Sequence, residues 1–436
     1  MKMAMSKILA LSASFFCFIA FSGEQACNKD INTIPPSSPW MDGLLSVLRL
    51  PYDDKTRNFS MKINNKPVVL NYKIFSSSIK PSKGTIVYMC GGPGFPCMRD
   101  RTSSVPPDFN IVTMDYMGVG QNKKYTDPDL MQIESQGKAF AELIKLIPDK
   151  KVVIYGHSFG TTVATVAASI LTKESQNSKV EGVLLEGIVG KGEYEKANEE
   201  YASVANDAWS LVSKKDKDGF FRMFNSLGKS DQTSLLQDIK LGLMSGSKVV
   251  AAFLSLISKM SKDELVEHIE KSNQHMKFLN DDMSFANYLA AGCQIFAKDM
   301  KGPSFIFDKK IKYPNEEAGK FICNCRTIEK TWNPNQFQIS GVPVVYINGE
   351  SDPATPISWA MEHYNSQKTE TKIFLRIPRG GHMESMSSLS ECMEPIFSNL
   401  FKNKEGLTFF EKNKWEIERG ECEETNFDSK STEGTK

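Results

Sequence analysis

The segment Gly156-His157-Ser158-Phe159-Gly160 constrains this chain more than any other. Lys151 to Tyr155 is a short apolar run that reads as a buried strand. Thr161 to Ile170 is small and apolar enough to be a helix lying on a sheet. A serine between two glycines at a strand-to-helix turn is the setting of a nucleophile elbow: the glycines permit the tight turn, and the hydroxyl is left pointing away from the sheet. The bare pattern arises by chance in roughly one chain in seven at ordinary Gly and Ser frequencies. The flanking strand and helix are what give it meaning.

If the elbow belongs to an α/β-hydrolase fold, an acid and then a histidine must follow Ser158 along the chain. Five histidines are present. His157 is part of the elbow, and His268 and His275 sit in a charged helical stretch that reads as a solvated face. His363 falls inside a helix predicted over Ile357 to Tyr364. His382 follows the strand Lys372–Ile377 and the loop Pro378 to Gly381, where a catalytic base on a strand-end loop belongs. For the acid, the apolar run Gly341 to Asn348 ends in Gly349-Glu-Ser-Asp-Pro-Ala-Thr-Pro356. Asp352 therefore lies just past a strand end, one crossover unit before His382. Glu350 is the alternative acid.

Cys90-Gly-Gly-Pro-Gly94 follows the apolar strand Thr85 to Met89. A glycine-rich turn there can aim a backbone N–H at an attacked carbonyl. Pro93 has no N–H, so the expected donors are Gly92 and Phe159, the residue after the nucleophile.

Taken in order, Gly-Gly-Pro-Gly, Asp115-Tyr-Met-Gly-Val-Gly120, Gly-His-Ser-Phe-Gly-Thr161, Asp352-Pro-Ala-Thr-Pro356 and Gly381-His382 resemble the prolyl and tripeptidyl aminopeptidase family of serine exopeptidases. The resemblance implies an α/β-hydrolase fold with a mostly helical cap inserted between the sixth and seventh strands. It also implies release of N-terminal residues, proline or short peptides, through an acyl-enzyme. The partner implied is a peptide with a free N-terminus; no cofactor or metal is called for. Cys90, Met117 and Asn122 depart from residues usual in the family, all near the expected floor of the site. A secreted branch of the family further implies Cys392 paired with Cys422, and Cys293 with Cys323 or Cys325. Cys90 and Cys97 flank the glycine turn and could close a small loop over it.

An exopeptidase must bind an ammonium, and stripping water from one without a nearby carboxylate is costly. Glu186, just past the sixth strand, is the first choice, with Glu193, Glu195, Glu199 and Glu200 at the start of the cap as the alternative. Two other readings remain: a carboxylesterase or lipase with the same triad and an apolar cap pocket, and a binding protein that keeps the fold without turnover.

The rest of the chain fits an exported protein, periplasmic or extracellular. Met1 to Ser22 has a basic start, a 14-residue apolar run from Ile8 to Phe21, and small residues before Gly23, as a signal peptide does. That run is too short to span a membrane comfortably. Its removal leaves 51 basic and 52 acidic residues and eight cysteines, an even number compatible with disulfides. Near-zero net charge gives no reason to expect nucleic acid or an anionic membrane as partner. Cys323-Asn-Cys325 has the wrong spacing for a metal site. Residues 23–190 and 339–422 are expected to form the core, with 191–338 as a helical cap without clear strands and 423–436 as a polar tail. Within the core, two strands joined at Asn64-Asn65 and an amphipathic helix from Gln132 to Ile147 are expected.

Overall fold

The computed structural model describes residues 56–98, 104–174, 179–191, 194–280, 294–295, 305–307, 311–312, 331–386 and 388–422. The export segment 1–22, the tail 423–436, Glu193, Cys293, Cys323 and Cys325 lie outside the described residues, as do the side chains of Glu195 and His275.

Strands β1 (Thr56–Ile63) and β2 (Lys66–Phe75) form a hairpin. Asn64 and Asn65 both take positive φ, +50° and +63°, as a two-residue turn matched to strand twist requires and as asparagine tolerates. On β2, Val68 and Leu70 are buried while Tyr72 and Ile74 are half-buried, so the predicted alternation weakens toward the strand's end. Strands β3 (Thr85–Met89), β4 (Asn110–Met114), β5 (Val152–His157), β6 (Val180–Glu186), β7 (Val344–Gly349) and β8 (Lys372–Ile377) complete one sheet, in the order β1-β2-β4-β3-β5-β6-β7-β8. From β4 to β8 every pairing is parallel. The central strands are mostly apolar and fully buried, because helices cover both faces of a parallel sheet.

Helices α1 (Ile133–Leu146) and α2 (Phe159–Glu174) pack on one another beside the sheet. The α1 pattern holds Phe140, Leu143 and Ile144 inward and Lys145 outward, the one-sided distribution expected of a helix on a sheet. Between β6 and β7 the chain leaves the sheet for α3 (Tyr194–Leu211), α4 (Lys214–Ser226), α5 (Lys229–Leu243), α6 (Ser247–Ile257) and α7 (Lys262–Asn280). These helices bury a second apolar cluster around Trp209, Phe220 and Phe253, which takes in Ala354 and Met383 from the loops after β7 and β8. The cap is thus joined to the sheet at the two loops that follow its last strands. It is not free of strands: Phe305–Ile306 pairs with Ile311–Lys312 in a two-residue antiparallel ladder.

After β7 comes α8 (Ile357–Ser366); α9 (Met393–Leu400) and α10 (Lys404–Arg419) close the chain against the sheet. Two disulfides join described residues, Cys90–Cys97 and Cys392–Cys422. The second ties the start of α9 to Cys422, two residues past Gly420, the left-handed cap of α10. No helix among the described residues is long and apolar enough to cross a membrane.

Replacing Cys392 and Cys422 together by serine frees a link with a sequence separation of 30 residues. By the chain-entropy model this lowers stability by about 3–4 kcal/mol. Denaturant unfolding of the double variant should show that loss in unfolding free energy; unchanged stability would mean the link contributes nothing.

Candidate active site

Ser158 sits at the junction of β5 and α2 with φ +53°, a left-handed value unusual for serine and costly unless its surroundings enforce it. Enforcement is visible in the hydrogen bonds. Its N–H donates to the Glu186 carbonyl (2.8 Å) at the end of β6, and its own carbonyl accepts from the N–H (2.8 Å) and hydroxyl (2.6 Å) of Thr161. Gly160 is required by the close approach of β3, since a Cβ there would lie 1.9 Å from the Met89 carbonyl oxygen. The Ser158 hydroxyl is fully buried, and its Oγ has no hydrogen-bond partner among the described residues.

Asp352 and His382 are brought together. Asp352 Oδ2 lies 2.8 Å from His382 Nδ1, and neither side chain is exposed. A buried carboxylate must have its lone pairs occupied, and this one does. Oδ1 accepts from the N–H groups of Ala354 (2.9 Å) and Thr355 (3.0 Å), and Oδ2 accepts from the Thr355 hydroxyl (2.6 Å). Thr355 Oγ1 also stands 3.1 Å from His382 Nδ1. With a carboxylate and a hydroxyl oxygen facing Nδ1, that nitrogen carries the proton and Nε2 is left with its lone pair.

The main chain of His382 is gripped from two sides. Its N–H donates to the Met244 carbonyl (2.7 Å), in the turn between α5 and α6 of the cap. Its carbonyl accepts from His157 Nε2 at 3.0 Å. Because a carbonyl only accepts, His157 holds its proton on Nε2. Burial lowers the His157 imidazole to about 4, against which the nearby Glu186 charge is a smaller opposing influence, so this ring is neutral near pH 7.

Gly92, Phe159 and Ser158 line one pocket. Gly92 has φ +133°, and a Cβ there would come within 2.8 Å of the Gly94 nitrogen. The turn therefore accepts only glycine without strain. The Cys90–Cys97 disulfide closes the loop that carries it. Tyr116 anchors the same turn, its hydroxyl donating to the Cys90 carbonyl (2.6 Å) while its ring meets Phe159 edge-on.

Glu186 departs from the expectation that it meets a substrate ammonium. It is 1% exposed. Its Oε1 accepts from the Ser385 N–H (2.7 Å), and its Oε2 from the hydroxyls of Tyr155 (2.5 Å) and Ser385 (2.6 Å). Burial and the Glu186 charge both push the Tyr155 hydroxyl well above its ordinary range, keeping it a donor. Glu186 thus fastens the segment after His382 to the sheet. The other acid considered, Glu350, turns outward to Arg376 (2.6 Å). His363 is buried between Thr165 and Tyr346, and burial lowers it to about 3. His268 lies on α7 in the cap.

Several residues were not singled out in the sequence. Thr355 had a local signal, a hydroxyl three residues after an aspartate in a proline-bounded loop, which is a side-chain capping arrangement. Met244 contributes only a carbonyl and had none. Trp359, on α8, lines the pocket and reads in sequence as an ordinary core residue. Glu200 was one of four cap acids. It is half-buried on α3, and its carboxyl is raised by burial first and then by the charges of Asp352 and Asp207. Among the described residues no group of His, Cys, Asp and Glu is gathered to hold a metal ion.

A mostly parallel sheet with this strand order, an elbow after β5 and a helical insertion after β6 define an α/β-hydrolase fold. The family model described as alpha/beta hydrolase fold matches residues 95–388, and the chain belongs to that family. Comparison with curated proteins returns no match. Among solved structures, the chain is similar to a proline iminopeptidase from Mycobacterium smegmatis (12% identity, TM-score 0.41, covering 81% of this chain and 99% of that one). It is similar also to an esterase from Exiguobacterium antarcticum (12%, 0.40, 76% and 95%) and to a bromoperoxidase from Bacillus anthracis (14%, 0.40, 79% and 99%). These likenesses bear on neither substrate nor mechanism.

A neutral His157 in the fold, against an ordinary histidine near 6.5 in the unfolded chain, makes stability fall as pH drops from about 6.5 through about 4. Above 6.5 both states are neutral and the contribution is complete. By pH 4 the loss from this residue approaches about 3 kcal/mol. His157→Gln should flatten the fall in unfolding free energy over that window, measured by denaturant titration at each pH. An equally steep fall in the variant would place the acid sensitivity elsewhere.

Proposed function

We propose that the protein is a serine hydrolase working through an acyl-enzyme, and that its substrates are peptides with a free N-terminus. The observation that carries the first part is the buried Asp352–His382 pair, whose imidazole lies against the ring of His157, the residue before an enforced elbow serine with an unmatched hydroxyl. His382 Nε2 takes the proton of Ser158 as Oγ attacks the substrate carbonyl carbon. Asp352 keeps the required tautomer and stabilises the imidazolium that forms. N–H groups of Gly92 and Phe159 receive the oxyanion. His382 then returns the proton to the leaving amine, and water, activated by the same ring, releases the acyl group.

Support for the second part moves from Glu186 to the cap. Glu200 is close enough to the catalytic acid for Asp352 to bear on its ionisation, and it is half-buried, where a carboxylate strengthens its hold on an ammonium. An arriving ammonium would also offset the burial and the neighbouring charges that raise this carboxyl. The pocket wall favours a second reading, esterase activity on the same triad, because Pro93, Phe159, Val189, Ile295 and Ala354 present an apolar surface beside Ser158. Export remains part of the proposal. It is supported by the two disulfides, which form and persist in oxidising compartments, together with the N-terminal pattern.

Ser158→Ala should lower kcat on the order of 10⁶-fold with an unchanged unfolding transition; retention of most activity would place the nucleophile elsewhere. Acetylating the N-terminus of a cleaved peptide should cost most of kcat/KM, and Glu200→Gln should reduce the preference for the free amine by about 1–3 kcal/mol. Equal cleavage of acetylated peptides, or turnover confined to esters, would replace the aminopeptidase reading with the esterase one.

A further inference from the structure

Trp359 is 2% exposed and lines the pocket next to Ser158. Its indole Nε1 is buried and has no hydrogen-bond partner among the described residues. Buried tryptophan N–H groups ordinarily find an acceptor, since a donor removed from water and left unmatched opposes folding. The other unmatched polar atom on this pocket is Ser158 Oγ, the proposed nucleophile. Trp359 is also held firmly. Its N–H donates to the Pro356 carbonyl (2.8 Å), and its backbone packs against Gly190, where an added Cβ would lie 2.5 Å from the Trp359 carbonyl oxygen. It is the third residue of α8, the helix that follows the Asp352–Thr355 loop. The same short segment thus supplies the proposed catalytic acid and a fixed, unspent donor.

We propose that the Trp359 indole N–H donates a hydrogen bond to a carbonyl oxygen of the substrate's acyl group, a carbonyl other than the one attacked. This rests on the reading that Ser158 is acylated in this pocket. Chemistry selects the ligand atom. A neutral donor in an apolar wall is matched by an uncharged acceptor. An ammonium offers no lone pair, and a carboxylate would bring a charge beside residues that include no cation. The attacked oxygen is served by Gly92 and Phe159. The acyl group is the part of the substrate present in both half-reactions, so a fixed donor on a buried wall serves both. In a peptidyl group the next carbonyl carbon lies three bonds beyond the attacked carbon, whereas a plain alkanoyl group has nothing to offer there. The donor thus selects peptidyl and other oxo-bearing acyl groups over hydrocarbon ones.

The test compares p-nitrophenyl 4-oxopentanoate, whose keto carbon occupies that position, with p-nitrophenyl pentanoate. Both are assayed on wild type and Trp359→Phe, each titrated first with a fluorophosphonate to count reactive Ser158. Loss of the N–H should lower kcat/KM for the oxo ester about tenfold more than for the plain ester. Intrinsic differences in ester reactivity cancel in that ratio. Equal effects on the two esters would overturn the proposal. If Trp359→Phe does not fold, wild type decides. Its oxo-to-plain preference, divided by the same ratio for hydroxide hydrolysis, should be about tenfold, and a value near unity would overturn it. A wild type that the fluorophosphonate fails to titrate removes the acyl-enzyme reading and this inference together. One that titrates but shows no oxo preference removes this inference alone.

Discussion

Everything around the site is arranged so that an aspartate and a histidine can share a hydrogen bond away from water. A carboxylate without exposure is tolerable only when its lone pairs are filled. Asp352 fills them locally, with two backbone N–H groups, the Thr355 hydroxyl and the imidazole. The histidine cannot be satisfied locally. Its carbonyl is held by His157 from the elbow strand and its N–H by Met244 from the cap, so the sheet and the cap must both be in place before the ring is fixed. Without either grip, Asp352 would keep its bonds to Ala354 and Thr355, but the loop that carries the ring, and with it the bond to the imidazole, would be free to move.

Parallel pairing explains why these residues meet. Strands β5, β6, β7 and β8 are neighbours and run in one direction, so their C-terminal ends share one edge of the sheet. The elbow follows β5, Glu186 ends β6, Asp352 follows β7 and His382 follows β8. The cap leaves the chain directly after β6 at that edge, and its apolar cluster takes in Ala354 and Met383, close in sequence to Asp352 and His382. A cap joined in this way is a wall of the site and a support for the His382 loop at once.

What could be read in the sequence was whatever is local. The elbow, the aspartate past a strand end and the histidine past the next strand each carry their own signature within a few residues, and the α/β class of the sheet follows from alternation of strand and helix. Asn64-Asn65 likewise fixed its hairpin by turn chemistry alone. Glu186 shows the limit. A glutamate at the end of the sixth strand reads as facing the site, but its orientation is decided by Tyr155 on the adjacent strand and by Ser385, a residue 199 positions away. Periodicity also cannot say which of four clustered acids turns inward; packing of α3 leaves Glu199 exposed and Glu200 half-buried. Trp359 is hidden for a related reason, since an indole ring in a buried helix reads as core whether or not its N–H has been spent.

The proposed covalent step can be observed directly. Rapid mixing of the protein with excess p-nitrophenyl ester, followed by acid quenching and mass spectrometry of the digested protein, shows whether an acyl group is transferred and to which atom. An increment equal to the acyl mass on the peptide containing Ser158, formed with a burst of one nitrophenolate per site, is the result expected of the Ser158, His382 and Asp352 arrangement. Turnover with no adduct on that peptide, or an adduct on another residue, would contradict it.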